Sequence, residues 1–311
     1  MNLQKIQIRL EELYQQQKSN YSGQIATYIP ELARACPDHF AVSLMTVDGQ
    51  MISIGDRQVQ FSLQSTSKPF VYGYALEKFG RSQVLQKVGV EPSGEAFNSI
   101  VELERKSNRP YNPMINSGAI AIAGMIDGVG PVEKLKMIQN LFTQFTGRAI
   151  HVDTEIFLSE KMTAHRNRSI AHLLRHFNVI DAHIEETLDL YFQQCALMVN
   201  IEDLALMAAT LANSGVQPQT KTQVFKSEVV RDVLSVMFTC GMYDSSGEWA
   251  FEVGLPAKSG VSGGMLAVIP GKMGIAVYSP LIDEKGHSVR GLGLFKSLSE
   301  EFGMSLFQSK V

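Results

Sequence analysis

The sequence predicts an α+β fold. One antiparallel sheet is assembled from both ends of the chain, covered by terminal helices, with a large helical lobe inserted in its middle. Three observations predict it. Residues 40–55 carry a strand–turn–strand pattern centred on Asp48-Gly49. Residues 264–278 carry a second, more apolar one centred on Pro270-Gly271. The span between them, and both termini, repeat their apolar residues at helical spacing.

Each element follows in order. Leu3, Ile6, Leu10 and Leu13 recur at helical spacing with charges between them, so the first segment reads as an amphipathic helix and not as a signal peptide. Tyr21-Ser22-Gly23 is a loop. Phe40–Val47 reads as a strand, Asp48-Gly49 as a tight turn and Gln50–Gly55 as the returning strand. A helix is expected over Lys68–Phe79, stopped by Gly80. Another is expected over Val132–Phe145, between Pro131 and Gly147. Ile201–Leu211 places Leu204, Met207, Ala208 and Leu211 on one face. Val229–Phe238 follows Ser227, read as its N-cap. Gly264–Ile269 and Met273–Tyr278 form the apolar hairpin, and Leu292–Phe302 a closing helix ended by Gly303. The expected organisation is a single catalytic domain of two lobes, a sheet lobe at 1–64 and 246–311 and a helical lobe at 65–245.

Composition narrows the function. The 311 residues are 45% hydrophobic and 19% charged, with a formal net charge of -3. This is the balance of an ordinary globular protein. No basic run suggests a nucleic-acid groove, and no stretch approaches the roughly 20 apolar residues of a membrane span. Cys36, Cys195 and Cys240 are widely spaced without a Cys-x-x-Cys, so neither a disulfide framework nor a zinc site is indicated. A cytoplasmic protein without metal or organic cofactor is expected.

Two short motifs carry chemistry. Ser65-Thr66-Ser67-Lys68 puts a hydroxyl and an amine three residues apart, hence on one face of a helix beginning near Ser65. A serine hydroxyl needs a base or a nearby cation to act as a nucleophile, and a desolvated lysine can supply one. Pro69 is tolerated there because first-turn N–H groups lack helical partners. Lys258-Ser259-Gly260 precedes a glycine-rich strand that permits close backbone approach. The N–H groups of Ser65 and Val261 are then a candidate oxyanion hole. Taken alone, Ser-x-x-Lys is equally an N-cap followed by a surface lysine, and Lys-Ser-Gly a plain edge strand.

An ordered set of further motifs removes that ambiguity: Tyr28-Ile29-Pro30, Ser65-x-x-Lys68-Pro69, Glu91-Pro92-Ser93-Gly94, Asn112 to Ala119 (NPMINSGA), Asn167, Tyr191-Phe192-Gln193, Cys240 to Asp244 (CGMYD) and Gly254 to Val261 (GLPAKSGV). Over these residues the chain resembles the serine-dependent glutaminases, relatives in fold of the penicillin-recognising serine hydrolases. The resemblance implies a β-lactamase/DD-peptidase-like fold and hydrolysis of L-glutamine to L-glutamate and ammonia through a glutamyl-serine intermediate. It implies a homo-oligomer, dimer or tetramer. It implies Glu160 as acceptor for the substrate ammonium, and Asn116, Asn167 and Tyr191 as donors to the carboxylate. It places Tyr28 and Tyr243 near the nucleophile as catalytic residues beside Ser65 and Lys68, with Tyr243 also a substrate contact, and the Val261 N–H on the amide oxygen. Singly, Asn116 reads as a helix cap, Tyr191 as a core tyrosine, Glu160 as a solvated helix residue and Asn167 as a turn residue.

No Ser-x-Asn or Tyr-x-Asn occurs between Lys68 and Lys258. Penicillin-recognising enzymes usually carry one. Tyr243 is therefore expected to relay the proton, its pKa drawn down by Lys68 and Lys258. Two rival readings follow from the same residues. One is a peptidase or β-lactamase, which nitrocefin would reveal. The other is a glutamine sensor that binds without releasing ammonia.

Overall fold

A computed structural model of the chain describes residues 3–93 and 108–308. Gly94, the last residue of the Glu91-Pro92-Ser93-Gly94 motif, lies outside them.

The sheet has five antiparallel strands: β2 (Ala41–Thr46), β3 (Met51–Gly55), β6 (Ala257–Ser259), β7 (Gly264–Ile269) and β8 (Met273–Tyr278). Their order is β3-β2-β8-β7-β6. Strands from the two chain ends meet where Val42 pairs with Val277. Every residue of β2, β7 and β8 is buried, because helices cover both faces of the sheet. That is why these strands read as apolar runs without polar alternation.

Period-2 alternation still divides the side chains. Val42, Leu44, Met265, Ala267, Ile275 and Val277 pack with Ile6, Leu10 and Leu13 of α1 (Leu3–Lys18) and with Leu294, Phe295 and Leu298 of α12 (Val289–Phe302). Met45, Leu266, Val268 and Ala276 face the other core, with Leu204, Met207, Ala208 and Leu211 of α9 (Ile201–Ala212). This helix comes from the inserted span and covers the sheet directly. Its approach is close: a Cβ on Gly274 would lie 2.2 Å from the Ala209 nitrogen. Gly274→Ala must push α9 off the sheet, and about 2 kcal/mol of stability is the expected loss. Urea unfolding measures it; an unchanged midpoint contradicts the packing described.

Among the described residues, the remaining helices are α2 (Pro30–Ala33), α3 (Lys68–Lys87), α4 (Asn116–Ala123), α5 (Pro131–Thr146), α6 (Thr154–Thr163), α7 (His165–His176), α8 (Ile184–Cys195), α10 (Ser227–Cys240) and α11 (Ser246–Glu252). Gly147 and Gly303 take left-handed conformations at the ends of α5 and α12, the glycine stops expected from sequence.

Two expectations need correction, and one feature is new. Gly80 breaks α3 with φ 74° and ψ 159°, but a second helical stretch runs on to Lys87. Ser227 is the first residue of α10 and not its cap; Lys226 stands at that position with extended backbone and no side-chain cap. Two small strand pairs, β1 (Gln24–Ile25) with β9 (Leu281–Ile282) and β4 (Phe61–Ser62) with β5 (Met198–Val199), were not foreseen. Two residues are too few to show a period. Among the described residues, no helix is long and apolar enough to cross a membrane.

Candidate active site

Ser65 does not open an α-helix, as its spacing to Lys68 suggests. It sits in a 3-10 turn over Gln64–Ser67, and α3 begins at Lys68. Gln64 holds φ at 47°, in the left-handed region that a non-glycine residue seldom enters. Such strain persists only where surrounding contacts enforce it. Here the Thr66 hydroxyl donates to the Leu63 carbonyl (2.5 Å) and the Ser67 hydroxyl to the Gln64 carbonyl (2.7 Å). The Gln194 amide in turn donates to the Ser67 oxygen (2.9 Å). The turn is thus pinned from α8, and Ser65, 8% exposed, is presented just ahead of a helix N-terminus.

Ser65 opens onto a cavity of about 210 Å³. Tyr28, Asn116, Glu160, Asn167, Tyr191 and Val261 also line it. The structure therefore brings together residues that sequence could only name separately. Glu160 lies on α6, whose N-terminus is capped by the Asp153 carboxylate accepting from the Glu155 and Ile156 N–H groups. Asn167 lies on α7, Tyr191 on α8 and Asn116 at the start of α4. Asn116 is the first helical residue and not the cap, which is Ile115. Gly118 lets α4 lie against the preceding chain, because a Cβ there would meet the Asn112 carbonyl at 1.9 Å.

A hydrogen-bonded line runs through these groups. Lys68 Nζ donates to Asn116 Oδ1 (2.7 Å), which also accepts from the Tyr191 hydroxyl (3.2 Å). Asn116 Nδ2 donates to Asn167 Oδ1 (3.1 Å). Tyr28 is 48% exposed, yet its hydroxyl points inward, donating to Glu160 and lying 2.8 Å from Gln64 Oε1. Tyr243 does not line the cavity but shares a hydrogen bond with Ser65 and donates to the Ser259 carbonyl (3.1 Å). Lys258, fully buried, donates to the same carbonyl (2.8 Å) and sits 3.8 Å from the centre of the Tyr243 ring.

Burial dominates the electrostatics. It pushes the Lys68 amine down to about 8, with partial opposition from Glu160. It pushes Lys258 well below the usual lysine range, and Lys68 adds repulsion. Glu160 is raised by burial although bonds from Tyr28 and Gln64 and the charge of Lys68 oppose this. The Cys195 thiol is pushed up to about 12. One expectation is reversed. Tyr243 is not drawn down by the two lysines; loss of solvent raises it well above the usual phenol range. Hydrogen bonds with Ser65 and Ser259 oppose the rise without cancelling it.

Sequence reasoning missed Gln64, Thr163, Ala164, Arg166 and Cys195, which complete the cavity wall. The signal was partly there. Thr163 and Ala164 follow Glu160 by three and four residues, and Cys195 follows Tyr191 by four, so each shares a helix side with a named residue. It also missed the acceptor for Lys68. Asn116 fills that place within Met114-Ile115-Asn116, where a search for Ser-x-Asn or Tyr-x-Asn does not find it. No cluster of side chains suited to hold a metal ion occurs among the described residues.

The Glutaminase family model matches residues 23–307. The glutaminase of Trichormus variabilis is 54% identical over 299 residues, spanning 96% of this chain and 89% of that one. A solved structure described as a probable glutaminase superposes with a TM-score of 0.96 at 38% identity, covering 99% of this chain and 100% of that one. The protein Mglu in its glutamate form superposes with a TM-score of 0.94 at 42% identity, covering 98% of this chain and 71% of that one.

Proposed function

From a chain that belongs to the glutaminase family and shares its β-lactamase-like fold, we propose that hydrolysis of L-glutamine runs through an acyl-enzyme on Ser65. The observation that carries this reading is the joint placement of Ser65, Asn116 and Glu160 on one cavity, with buried Lys68 held on Asn116. The cavity has room for about seven waters' worth of liquid, the scale of a free amino acid. The neighbouring Mglu structure is in a glutamate form, which supports the product as an occupant of the corresponding site.

Glu160 meets the α-ammonium, whose charge offsets the cost of the buried carboxylate. Asn116, Asn167 and Tyr191 orient the α-carboxylate. Ser65 Oγ attacks the side-chain amide carbon, and neutral Lys68 takes the hydroxyl proton. The Ser65 and Val261 N–H groups hold the oxyanion, each worth about 3 kcal/mol in the transition state. Tyr243, protonated at rest, gives its proton to the leaving nitrogen and is reprotonated from Lys68. Tyr28 holds Glu160 and Gln64 in place. Water then attacks the glutamyl ester, with the same groups acting in reverse, and glutamate leaves. The two-lobed single-domain organisation and the cytoplasmic location expected from the sequence, and the homo-oligomer expected from the resemblance, belong to this reading.

Ammonia release tests it. Glutamine is expected to react at least about 100-fold faster than asparagine, whose amide falls one methylene short of Ser65. Nitrocefin is expected to stay uncleaved. Comparable rates on glutamine and asparagine overturn the assignment.

The pH profile follows from Lys68. With a pKa of about 8, about one molecule in ten carries the neutral amine at pH 7. The value of kcat/KM is expected to climb nearly tenfold per unit below pH 8 and to level above it. A flat profile from pH 6 to 8 removes Lys68 as the base.

A further inference from the structure

We infer that His287, which does not line the substrate cavity, is a positioning residue that holds the Tyr243 hydroxyl in reacting geometry. The inference rests on the proton-relay role given to Tyr243 above.

Tyr243 needs such support. Its φ is 52°, again the left-handed region, and no glycine freedom offsets the cost. Its ring would leave that position unless neighbours over-determine it. His287 supplies two such constraints from a distant part of the chain. Its imidazole stacks on the Tyr243 ring with centroids 5.6 Å apart and planes 16° from parallel. Its Nδ1 shares a hydrogen bond of 2.8 Å with Ser259 Oγ. The carbonyl of that same Ser259 accepts from the Tyr243 hydroxyl and from Lys258 Nζ. One residue of β6 therefore ties together the phenol, the buried lysine and the imidazole.

The histidine is itself rigidly mounted. It closes the turn after β9, where the His287 N–H donates to Asp283 Oδ1 (2.8 Å) and the Asp283 N–H donates to the His287 carbonyl (2.8 Å). Gly286 makes that turn at φ 87°. Ser288, the next residue, caps α12 by accepting from the Gly291 N–H. The imidazole is 1% exposed. Burial pushes its pKa down to about 4, so it meets Tyr243 as a neutral ring. Its contribution is shape and hydrogen bonding.

On its far side His287 forms part of the wall of a separate cavity of about 420 Å³, together with Trp249, Asp283 and Lys296. Removing the imidazole opens space into which the tyrosine can relax, whereas the residues that line the Ser65 cavity are untouched. The expected signature is therefore a fall in kcat with KM nearly constant.

The test uses five variants of the full chain in the ammonia assay: His287→Ala, His287→Phe, His287→Asn, Tyr243→Phe and the double variant His287→Ala/Tyr243→Phe. His287→Ala is expected to lower kcat at least about tenfold and to change KM less than about twofold. His287→Phe keeps the stack and His287→Asn keeps an amide near Ser259 Oγ, so each is expected to recover part of the rate. In the Tyr243→Phe background, adding His287→Ala is expected to cost nothing further, because the hydroxyl it positions is already gone. If His287→Ala does not fold, the Phe and Asn variants carry the same comparison. Equal losses in both backgrounds, or a loss carried by KM, overturn the positioning role. A crippled Tyr243→Phe beside a fully active His287→Ala removes this inference alone. A fully active Tyr243→Phe removes the relay role and the inference with it.

Discussion

Ser65→Ala is expected to release ammonia from glutamine at no more than about one ten-thousandth of the wild-type rate, the scale on which loss of a serine nucleophile acts in hydrolases of this type. The loss is chemical and not structural. The turn that presents residue 65 is held by Thr66, Ser67 and Gln194, none of which is altered. Tyr243 keeps its bond to the Ser259 carbonyl when the Ser65 hydroxyl goes, so no buried donor is stranded. Stability is expected to change by less than about 1 kcal/mol. Glu160, Asn116, Asn167 and Tyr191 remain on the cavity wall, so calorimetry is expected to find glutamine binding intact. Activity within tenfold of wild type would place the nucleophile elsewhere. Loss of binding together with turnover would instead mean that residue 65 shapes the site.

Lys68→Met is expected to separate activity from stability. The lysine is 2% exposed, and the contacts described for it include no carboxylate, only Asn116 Oδ1. Burial holds its pKa near 8 against about 10.5 in an unfolded chain. The unfolded state therefore binds more protons between those values, and folding stability rises with pH through that window. Below pH 8 the full cost of the buried charge is present. Methionine has similar length and no charge, and Asn116 Oδ1 still accepts from Tyr191. At pH 7 the variant is expected to be more stable by about 1–3 kcal/mol, a gain that vanishes as pH nears 10.5. The same change removes the base and is expected to cost about 10³-fold in kcat. Urea unfolding at pH 7 and pH 10, beside ammonia release, measures both. A destabilised variant at pH 7 would show that the buried ammonium is compensated by contacts other than those described. Unimpaired turnover would show that Lys68 is not the base.

The secondary structure was legible where it depends on neighbours in sequence. Asp48-Gly49 and Pro270-Gly271 announce their turns, and the strands Gly264–Ile269 and Met273–Tyr278 stand where the apolar runs place them. The helix over Ile201–Ala212 shows its sheet-facing side in Leu204, Met207, Ala208 and Leu211. Chemical types at fixed offsets were legible as well: a serine and a lysine three apart, a Lys-Ser-Gly, and an ordered set of glutaminase-like motifs. That all the named substrate-facing residues except Tyr243 share one cavity wall was anticipated only through family likeness.

Other features were decided in three dimensions. The 3-10 turn at Ser65 is imposed by Gln194, 127 residues away in sequence from the Ser67 it grips. The acceptor on Lys68 comes from 48 residues further along, and the imidazole on Ser259 from 28. The direction of the Tyr243 shift was misjudged because two nearby lysines suggest attraction, whereas the folded chain strips water from all three groups at once. Hydrophobic period and turn chemistry are local properties, so they can be read along a string. Desolvation and hydrogen-bond distance depend on what the rest of the chain places around a group, and those quantities exist only once it has folded.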